Sequence, residues 1–385
     1  MIKYGRHFID KTDIAEVNKA LKSDFLTQGP FVDKFQKKIL NFFGGKYCLV
    51  VSSGTAALHL AGLALGWKKN DIIIVSPLTF VASANCALYN RSKVEFSDID
   101  KNTLTLDVFK LEKKIKLLKK NKKKVKSVVV TDYAGHPADW VKLRKLSKQY
   151  KFSLINDNCH AMGSKYLGSE KYAQKFADIV VQSYHPVKNF TSGEGGSIIT
   201  NNFKIYKKIL LLKQHDIHRT VGIHWKYDVK NLGYNYRMSD IHAALGNSQI
   251  DKLRKFTNYR RKVAKIYDKN FKNITGIKIP TTAQKCINSY HLYPLFVDFK
   301  KFRITKDNFL KKLLKQKVSL QVHYVPIHQF SLYKKNENSN YPVAENFHQG
   351  TVSLPIYYKI NQKEINLVIR LIKEILKINL ISNNL

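Results

Sequence analysis

Three stretches of this 385-residue chain combine residue types that could do chemistry together. The first is DIVVQSYHPVKNFTSGEGG, residues 178–196. A short apolar run, Ile179 to Val181, predicts a buried strand. Lys188 follows it, ahead of a loop that carries Gly193, Gly195 and Gly196. A lysine amine has an ordinary pKa near ~10.4 and is a poor nucleophile while protonated. Desolvation or a neighbouring cation lowers that pKa and opens Schiff-base chemistry to it. Lysine and arginine total 67 in this chain, so residue type alone does not distinguish Lys188. Its place just past a strand end, beside Ser183 and a glycine-rich loop, does.

The second stretch is LINDNCHA, residues 154–161. A predicted strand from Phe152 to Ile155 delivers Asp157 at its carboxyl end. There Asp157 either caps the next turn or presents a carboxylate to a ligand. The third is VSSGTAAL, residues 51–58. It joins a predicted strand, Cys48 to Val51, to an Ala/Leu-rich helix. Backbone N–H groups at such a helix start, here Gly54 and Thr55, bind phosphate; an ordinary capped helix has the same pattern. Ser183 is a further candidate phosphate ligand. An aimed amine, a carboxylate and a phosphate cradle are together what pyridoxal 5'-phosphate (PLP) needs, because a carboxylate beside its pyridine nitrogen keeps that nitrogen protonated.

The elements around these stretches must bring them together. Apolar runs at Ile72 to Val75, Val125 to Thr131 and Phe152 to Ile155 alternate with helical patterns such as Leu143 to Tyr150. That alternation predicts a doubly wound α/β sheet with a mainly parallel core. Ligands of such sheets bind outside the carboxyl ends of the strands, where Asp157, Lys188 and Gly54-Thr55 all fall. Nearer the N-terminus, residues 8–23 read as a helix capped by Asp10 or Thr12, with Ile14, Val17, Ala20 and Leu21 at helical spacing. Beyond a long basic helix, residues 251–271, the pattern changes to a small α+β domain. It has strands at His291 to Val297 and Ser319 to Tyr324, and a last helix with a capping box at Asn361 and Glu364. The division expected is residues 1–250 and residues 251–385.

Composition narrows the function classes. The formal net charge is +39. It would attract acidic ligands, but no aromatic-interleaved platform or helix-turn-helix accompanies it, so a solvated lysine surface and no nucleic-acid partner are expected. No apolar stretch is long enough to span a membrane and the N-terminus does not read as a signal peptide. Cys48, Cys86, Cys159 and Cys286 have neither zinc-ligand nor disulfide-framework spacing, which fits a reducing cytoplasm. His160 and His185 lie near Asp157 and Lys188 but lack a third ligand at metal spacing, so no metal is expected.

The ordered set SSGTAALHLA, SPLTFVASANC, INDNCHAMGS, SYHPVKNFTSGEGG and LGYNYRMSDIHAALG resembles the DegT/DnrJ/EryC1/StrS family of PLP-dependent nucleotide-sugar aminotransferases. The resemblance covers essentially the whole chain. YGRHFID, DFLTQGP, DYAGHPAD, QVHYVPIHQ and VSLPIYY resemble the branch that makes UDP-4-amino-4,6-dideoxy-N-acetyl-β-L-altrosamine for pseudaminic acid. The resemblance implies an aspartate aminotransferase-like fold (fold type I), PLP on Lys188, and Asp157 and His160 beside it. It implies that Phe80 stacks on the pyridine ring and that Tyr4, Phe25, Leu26, Thr27, Arg237, His323 and Tyr324 face the UDP-sugar. It also implies L-glutamate as amino donor, and a homodimer in which Asn235 reaches the phosphate of the second subunit's site. Some relatives carry histidine in place of the lysine and run a dehydration, so Lys188 implies transamination. The chain departs from the family pattern in two places. His215-Asp216-Ile217 stands where His-Gly-Ile is usual, and Asn156 and Asn158 flank Asp157 where an acid and a small residue are expected. Transamination of another nucleotide-linked keto sugar at C3 or C4 is the nearest alternative. A non-catalytic PLP fold and a basic nucleic-acid binder are alternatives from other classes.

Overall fold

A computed structural model describes residues 1–334 and 340–378. Its centre is one seven-stranded sheet. The strands are β1 (Tyr47–Val51), β2 (Ile72–Val75), β3 (Lys93–Phe96), β4 (Val125–Thr131), β5 (Ser153–Asp157), β6 (Ile179–Ser183) and β7 (Gly196–Thr200). Their spatial order is β1-β7-β6-β5-β4-β2-β3. All neighbours are parallel except β7, which runs antiparallel to both β1 and β6.

The near-continuous apolar strands follow from burial on both faces. Successive side chains point to opposite faces, so Ile72 and Ile74 enter one core while Ile73 and Val75 enter the other. The second of those cores is closed by α3 (Gly54–Ala64) and α4 (Ala82–Tyr89), whose small residues let the helices sit close to the sheet. The first is closed partly by α2 (Pro30–Phe43), through Val32, Phe35 and Ile39.

A hairpin, β8 (Ile217–Thr220) with β9 (Ile223–Val229), stands off the large body. It carries Val221 (98% exposed) and Trp225 (71%), with Leu232 (77%) just beyond it. α5 (Asp240–Asp251) and α6 (Leu253–Phe271) then lead into a third core. There α6 packs with β11 (Tyr293–Val297) and β12 (Thr351–Leu354), which form a three-stranded antiparallel sheet with β10 (Ile277–Lys278). α7 (Gln362–Ile375) covers it with Ile365, Val368, Ile369 and Ile372. Asn361 and Glu364 form the expected reciprocal cap at its start. Ile2 joins this third core because Ile2–Lys3 pairs with Val318–Ser319.

Three local expectations change. The strand at Ser319 to Tyr324 stops at Ser319, because its partner Ile2–Lys3 is only two residues long; beyond it Gln321 makes a single antiparallel bridge to Ser353, its carbonyl accepting the Ser353 N–H at 2.7 Å. His323 and Tyr324 therefore sit in a loop. The strand expected from His291 begins at Tyr293. The first helix, α1 (Lys11–Leu21), is capped by Asp10, but Ile14 (55%) and Leu21 (53%) are exposed. Its inward face is set by Asp13, fully buried, which accepts a hydrogen bond from Gln249 and pairs with Lys252 at 2.8 Å. Among the described residues no helix is long and apolar enough to cross a membrane.

Candidate active site

β5 and β6 end side by side and β1 ends at the same edge across the antiparallel β7, and a cleft of about 440 Å³ opens beyond their carboxyl ends. Gly54, Thr55, Asp157, His160, Ser183 and Lys188 all line it. Tyr4, Phe80, His323 and Tyr324 line it too.

One end of the cleft is the start of α3. Ser53 caps the helix, its hydroxyl accepting from the Ala56 N–H at 3.1 Å. The N–H groups of Gly54 and Thr55 belong to the first turn and have no carbonyl within the helix to bond. Two glycines make the approach of strands to this point possible. A Cβ on Gly54 would lie 2.8 Å from Ser183 Cβ, and one on Gly196 would lie 2.5 Å from the Ser53 carbonyl oxygen. The result is a set of backbone donors and a hydroxyl at a helix N-terminus, an arrangement suited to phosphate.

At the other end stands Asp157, 4% exposed. Its Oδ2 accepts from the Ser83 hydroxyl at 2.6 Å and its Oδ1 from the Cys159 N–H at 3.2 Å. Ser83 is itself linked to Thr79 (3.1 Å), and Thr79 to Thr131 (2.7 Å). This buried hydroxyl chain was not singled out from the sequence. The available signal was a pair of hydroxyl residues, Thr79 and Ser83, on either side of the start of α4 at Ala82.

Lys188 enters between these ends. Its segment is pinned by the Lys188 N–H to the His185 carbonyl (2.9 Å) and by Asn189 Nδ2 to the Met162 carbonyl (2.7 Å). Burial holds its amine below the ordinary lysine value, and Cys159 and Asp157 only partly offset that. His160 accepts the Ala134 N–H at Nδ1 (3.3 Å), so its proton sits on Nε2, which lies 3.2 Å from the Tyr324 hydroxyl. Burial, then Lys188 and His323, hold this ring neutral, well below the ordinary histidine range. His291 packs on it with ring centroids 4.3 Å apart. His323 is pushed down to about 4, chiefly by burial and then by Lys188, and bonds Ser353 Oγ at 2.8 Å. Phe80 (52% exposed) presents its ring at the cleft mouth, 6.0 Å from Tyr324. Among the described residues no group of three or more His, Cys, Asp or Glu could hold a metal ion.

Five expected residues do not line this cleft: Phe25, Leu26, Thr27, Asn235 and Arg237. They gather elsewhere. Thr27 bridges to Ser239, Arg237 to Val51 and Asn235 to Gln214. The Leu26 carbonyl accepts the Asp240 N–H at 2.9 Å, and Phe25 (56%) and Leu26 (49%) are exposed. The unusual His215-Asp216 pair has φ of 67° and 56°. Aspartate thus occupies a left-handed conformation that glycine usually takes. It uses its carboxylate to accept from the Asn231 N–H (2.8 Å) and Nδ2 (2.9 Å), tying the base of the hairpin.

A model of the DegT/DnrJ/EryC1/StrS aminotransferase family matches residues 7–373. The chain belongs to that family. A UDP-4-amino-4,6-dideoxy-N-acetyl-β-L-altrosamine transaminase of Campylobacter jejuni subsp. jejuni serotype O:23/36 is 38% identical over 372 residues, covering 96% of each chain. Among solved structures, PseC of Helicobacter pylori, an aminotransferase involved in the biosynthesis of pseudoaminic acid, superimposes with a TM-score of 0.88 at 30% identity. That match covers 98% of this chain and 99% of PseC. A putative sugar aminotransferase of Streptococcus pneumoniae, solved in a PMP form, has a TM-score of 0.88 at 26% identity over 98% and 99% of the two chains. DegT/DnrJ/EryC1/StrS aminotransferases use PLP, and the residues of this cleft fit it. The Gly54–Ser183 approach leaves a cradle that any Cβ at residue 54 would fill, and a buried carboxylate and a desolvated amine share the same cleft.

Proposed function

We propose that the chain transfers an amino group from L-glutamate to the C4 ketone of a UDP-linked 4-keto-6-deoxy-N-acetylhexosamine, giving UDP-4-amino-4,6-dideoxy-N-acetyl-β-L-altrosamine. One observation carries the reading: a relative named for that product aligns over 96% of the chain at 38% identity. The cleft chemistry agrees with it, since Lys188 and Asp157 line one cavity with the start of α3.

When bound, PLP supplies an electron sink for the pair left on a substrate carbon that loses its proton. The first-turn N–H groups of Gly54 and Thr55, with the Ser183 hydroxyl, would hold its phosphate. Asp157 would hold a proton at its ring nitrogen, and Phe80 would cover one ring face. Lys188 would carry the cofactor covalently. Burial lowers the basicity of its Nζ. A larger neutral fraction at physiological pH suits it to take the proton from the carbon bearing nitrogen and to return it. Neutral His160 orients the Tyr324 hydroxyl, which borders the side where the sugar would enter.

We further infer a homodimer. Phe25, Leu26, Trp225 and Leu232 are exposed apolar side chains, and Asn235 and Arg237 lie outside their own cleft. A second copy covering these surfaces would bring Asn235 to the partner's phosphate site, and would bring Arg237 and residues 25–27 to the partner's sugar nucleotide. We place the enzyme in the cytoplasm, where its four free cysteines stay reduced.

The test is product analysis. The protein, PLP, L-glutamate and the UDP-4-keto sugar should yield 2-oxoglutarate and the amino sugar, whose C4 configuration is read by NMR. Lys188→Ala should lower turnover by at least ~10²–10⁴-fold, as expected for loss of a positioned proton-transfer group. Amination of a different nucleotide sugar in preference would overturn the substrate; full activity of Lys188→Ala would overturn the site.

A further inference from the structure

Alternation along β5 puts Asp157 on the cleft face and Asn156 on the opposite face, with Asn158 just past the strand end. Both asparagines turn to one buried carboxylate. Asn156 Nδ2 and Asn158 Nδ2 each donate to Asp132 Oδ2 at 3.2 Å. The Tyr172 hydroxyl donates to the same oxygen at 2.6 Å. The Ala138 N–H (2.8 Å) and Trp140 Nε1 (3.0 Å) donate to Oδ1. The Asp132 N–H donates to the carbonyl of Asp157 itself, at 3.3 Å. On its far side Asn158 accepts from Gln182 Nε2 at 3.3 Å, and Gln182 accepts from the Tyr184 hydroxyl at 3.0 Å. A polar layer therefore runs beneath the ends of β4, β5 and β6, directly behind the cleft.

Stability does not call for this layer. Burying a carboxylate costs free energy that an apolar side chain of similar shape would not. Asp132 is 0% exposed, and burial pushes its carboxyl up to about 6 in spite of Tyr172, Ala138, Trp140 and Asn156. What an apolar residue lacks is a directional acceptor for the two amides on either side of Asp157.

We propose that Asp132 is a positioning residue for Asp157, holding the strand end through Asn156 and Asn158 so that the Asp157 carboxylate keeps its aim into the cleft. The two asparagines by which this chain departs from the family pattern are then one coupled device with Asp132. The inference rests on the reading of Asp157 as the partner of the PLP ring nitrogen, and its test separates the two.

Asn156→Ala, Asn158→Ala and Asp132→Asn are each compared with wild type by three readouts. These are the PLP dissociation constant, the pH midpoint of the bound cofactor's visible absorbance, and the Tm without PLP. Asp157→Asn serves as the reference for the site. Trp67→Phe serves as a stability control, since it loses the buried bond (2.8 Å) from Trp67, in the loop after α3, to Ser127 of β4, neither of which lines the cleft. Loss of one charge-assisted hydrogen bond is worth about tenfold or more in affinity. The expected result is PLP binding about tenfold weaker in all three variants, with midpoints moved in the same direction as in Asp157→Asn. Trp67→Phe should lower Tm alone. If the asparagine variants lower Tm but keep wild-type affinity and midpoint, Asp132 is structural and the proposal falls. It falls too if Trp67→Phe weakens PLP equally. If Asp157→Asn itself changes neither affinity nor midpoint, the site reading fails and takes the proposal with it. Should Asp132→Asn not fold, the two asparagine variants decide.

Discussion

Gly54→Ala tests the phosphate cradle at its tightest point. Gly54 opens α3 in an ordinary backbone conformation, so alanine meets no conformational obstacle there. Space is the obstacle. The new Cβ would lie 2.8 Å from Ser183 Cβ, 3.3 Å from its Oγ and 3.4 Å from its Cα. Carbon atoms rest at roughly 3.5–4.0 Å, so a shift of about 1 Å is needed. Ser183 cannot yield by changing rotamer, because the clash is with its Cβ, and its backbone is paired with Gly196 at the end of β6. The start of α3 must move instead. Overpacking of this kind costs ~1–3 kcal/mol. Replacing a helical glycine by alanine recovers up to ~1 kcal/mol. The apo protein should therefore lose only about 0–2 kcal/mol. The ligand suffers more. Drawing the helix N–H groups away from the Ser183 hydroxyl forfeits at least one charge-assisted hydrogen bond to phosphate, ~1.5–3 kcal/mol. That is about 10- to 100-fold in PLP affinity. The assay is titration of apo-protein with PLP, followed by absorbance, beside thermal unfolding of the apo-protein. Adding Ser183→Gly to Gly54→Ala removes the clash and should bring affinity back to that of Ser183→Ala, which lacks only the hydroxyl. Wild-type PLP affinity in Gly54→Ala would refute the cradle.

Further outcomes follow from the same geometry. Ser83→Ala leaves Asp157 Oδ2 without its 2.6 Å donor. Apo stability should fall by ~1–3 kcal/mol, and the pH midpoint of the bound cofactor's absorbance should move; an unmoved midpoint would separate the hydroxyl chain from the site. Burial raises the Asp132 carboxyl from its ordinary 3.8 to about 6. The folded chain then holds a proton that the unfolded chain has already released. That stabilising contribution is complete below the unfolded value and is lost as pH rises through about 6. Urea unfolding from pH 4 to 7 should show the stability of wild type relative to Asp132→Asn falling with pH, and a flat difference would contradict the burial argument. Trp225→Ser combined with Leu232→Ser should shift the protein toward monomer in light scattering and weaken PLP binding. A stable dimer with intact PLP binding would exclude the hairpin from the interface.

Where segments carry their own local reasons, the sequence determines them. Ile72 to Val75 forms a strand buried on both faces because four apolar β-branched residues leave no polar side to expose. Asn361 and Glu364 start α7 because each satisfies the other's backbone N–H, three residues away. That Asp157, Lys188 and Gly54 would share one cleft was legible because the carboxyl ends of parallel strands share one edge: Asp157 ends β5, Gly54 follows β1 and Lys188 follows β6. The one-sided pattern of α1 misled at Ile14 and Leu21, since a buried charge at Asp13, satisfied by Gln249 and Lys252 more than 200 residues away, decided which face turned inward. Ser83 beneath Asp157, the tie of Asn156 and Asn158 to Asp132, and the link from His160 to Tyr324 are decided in the same way. Those contacts join residues 24 to 164 positions apart. A hydroxyl, amide or imidazole has no periodicity to betray its partner, and only the packing of the sheet and its loops brings these groups within hydrogen-bond reach.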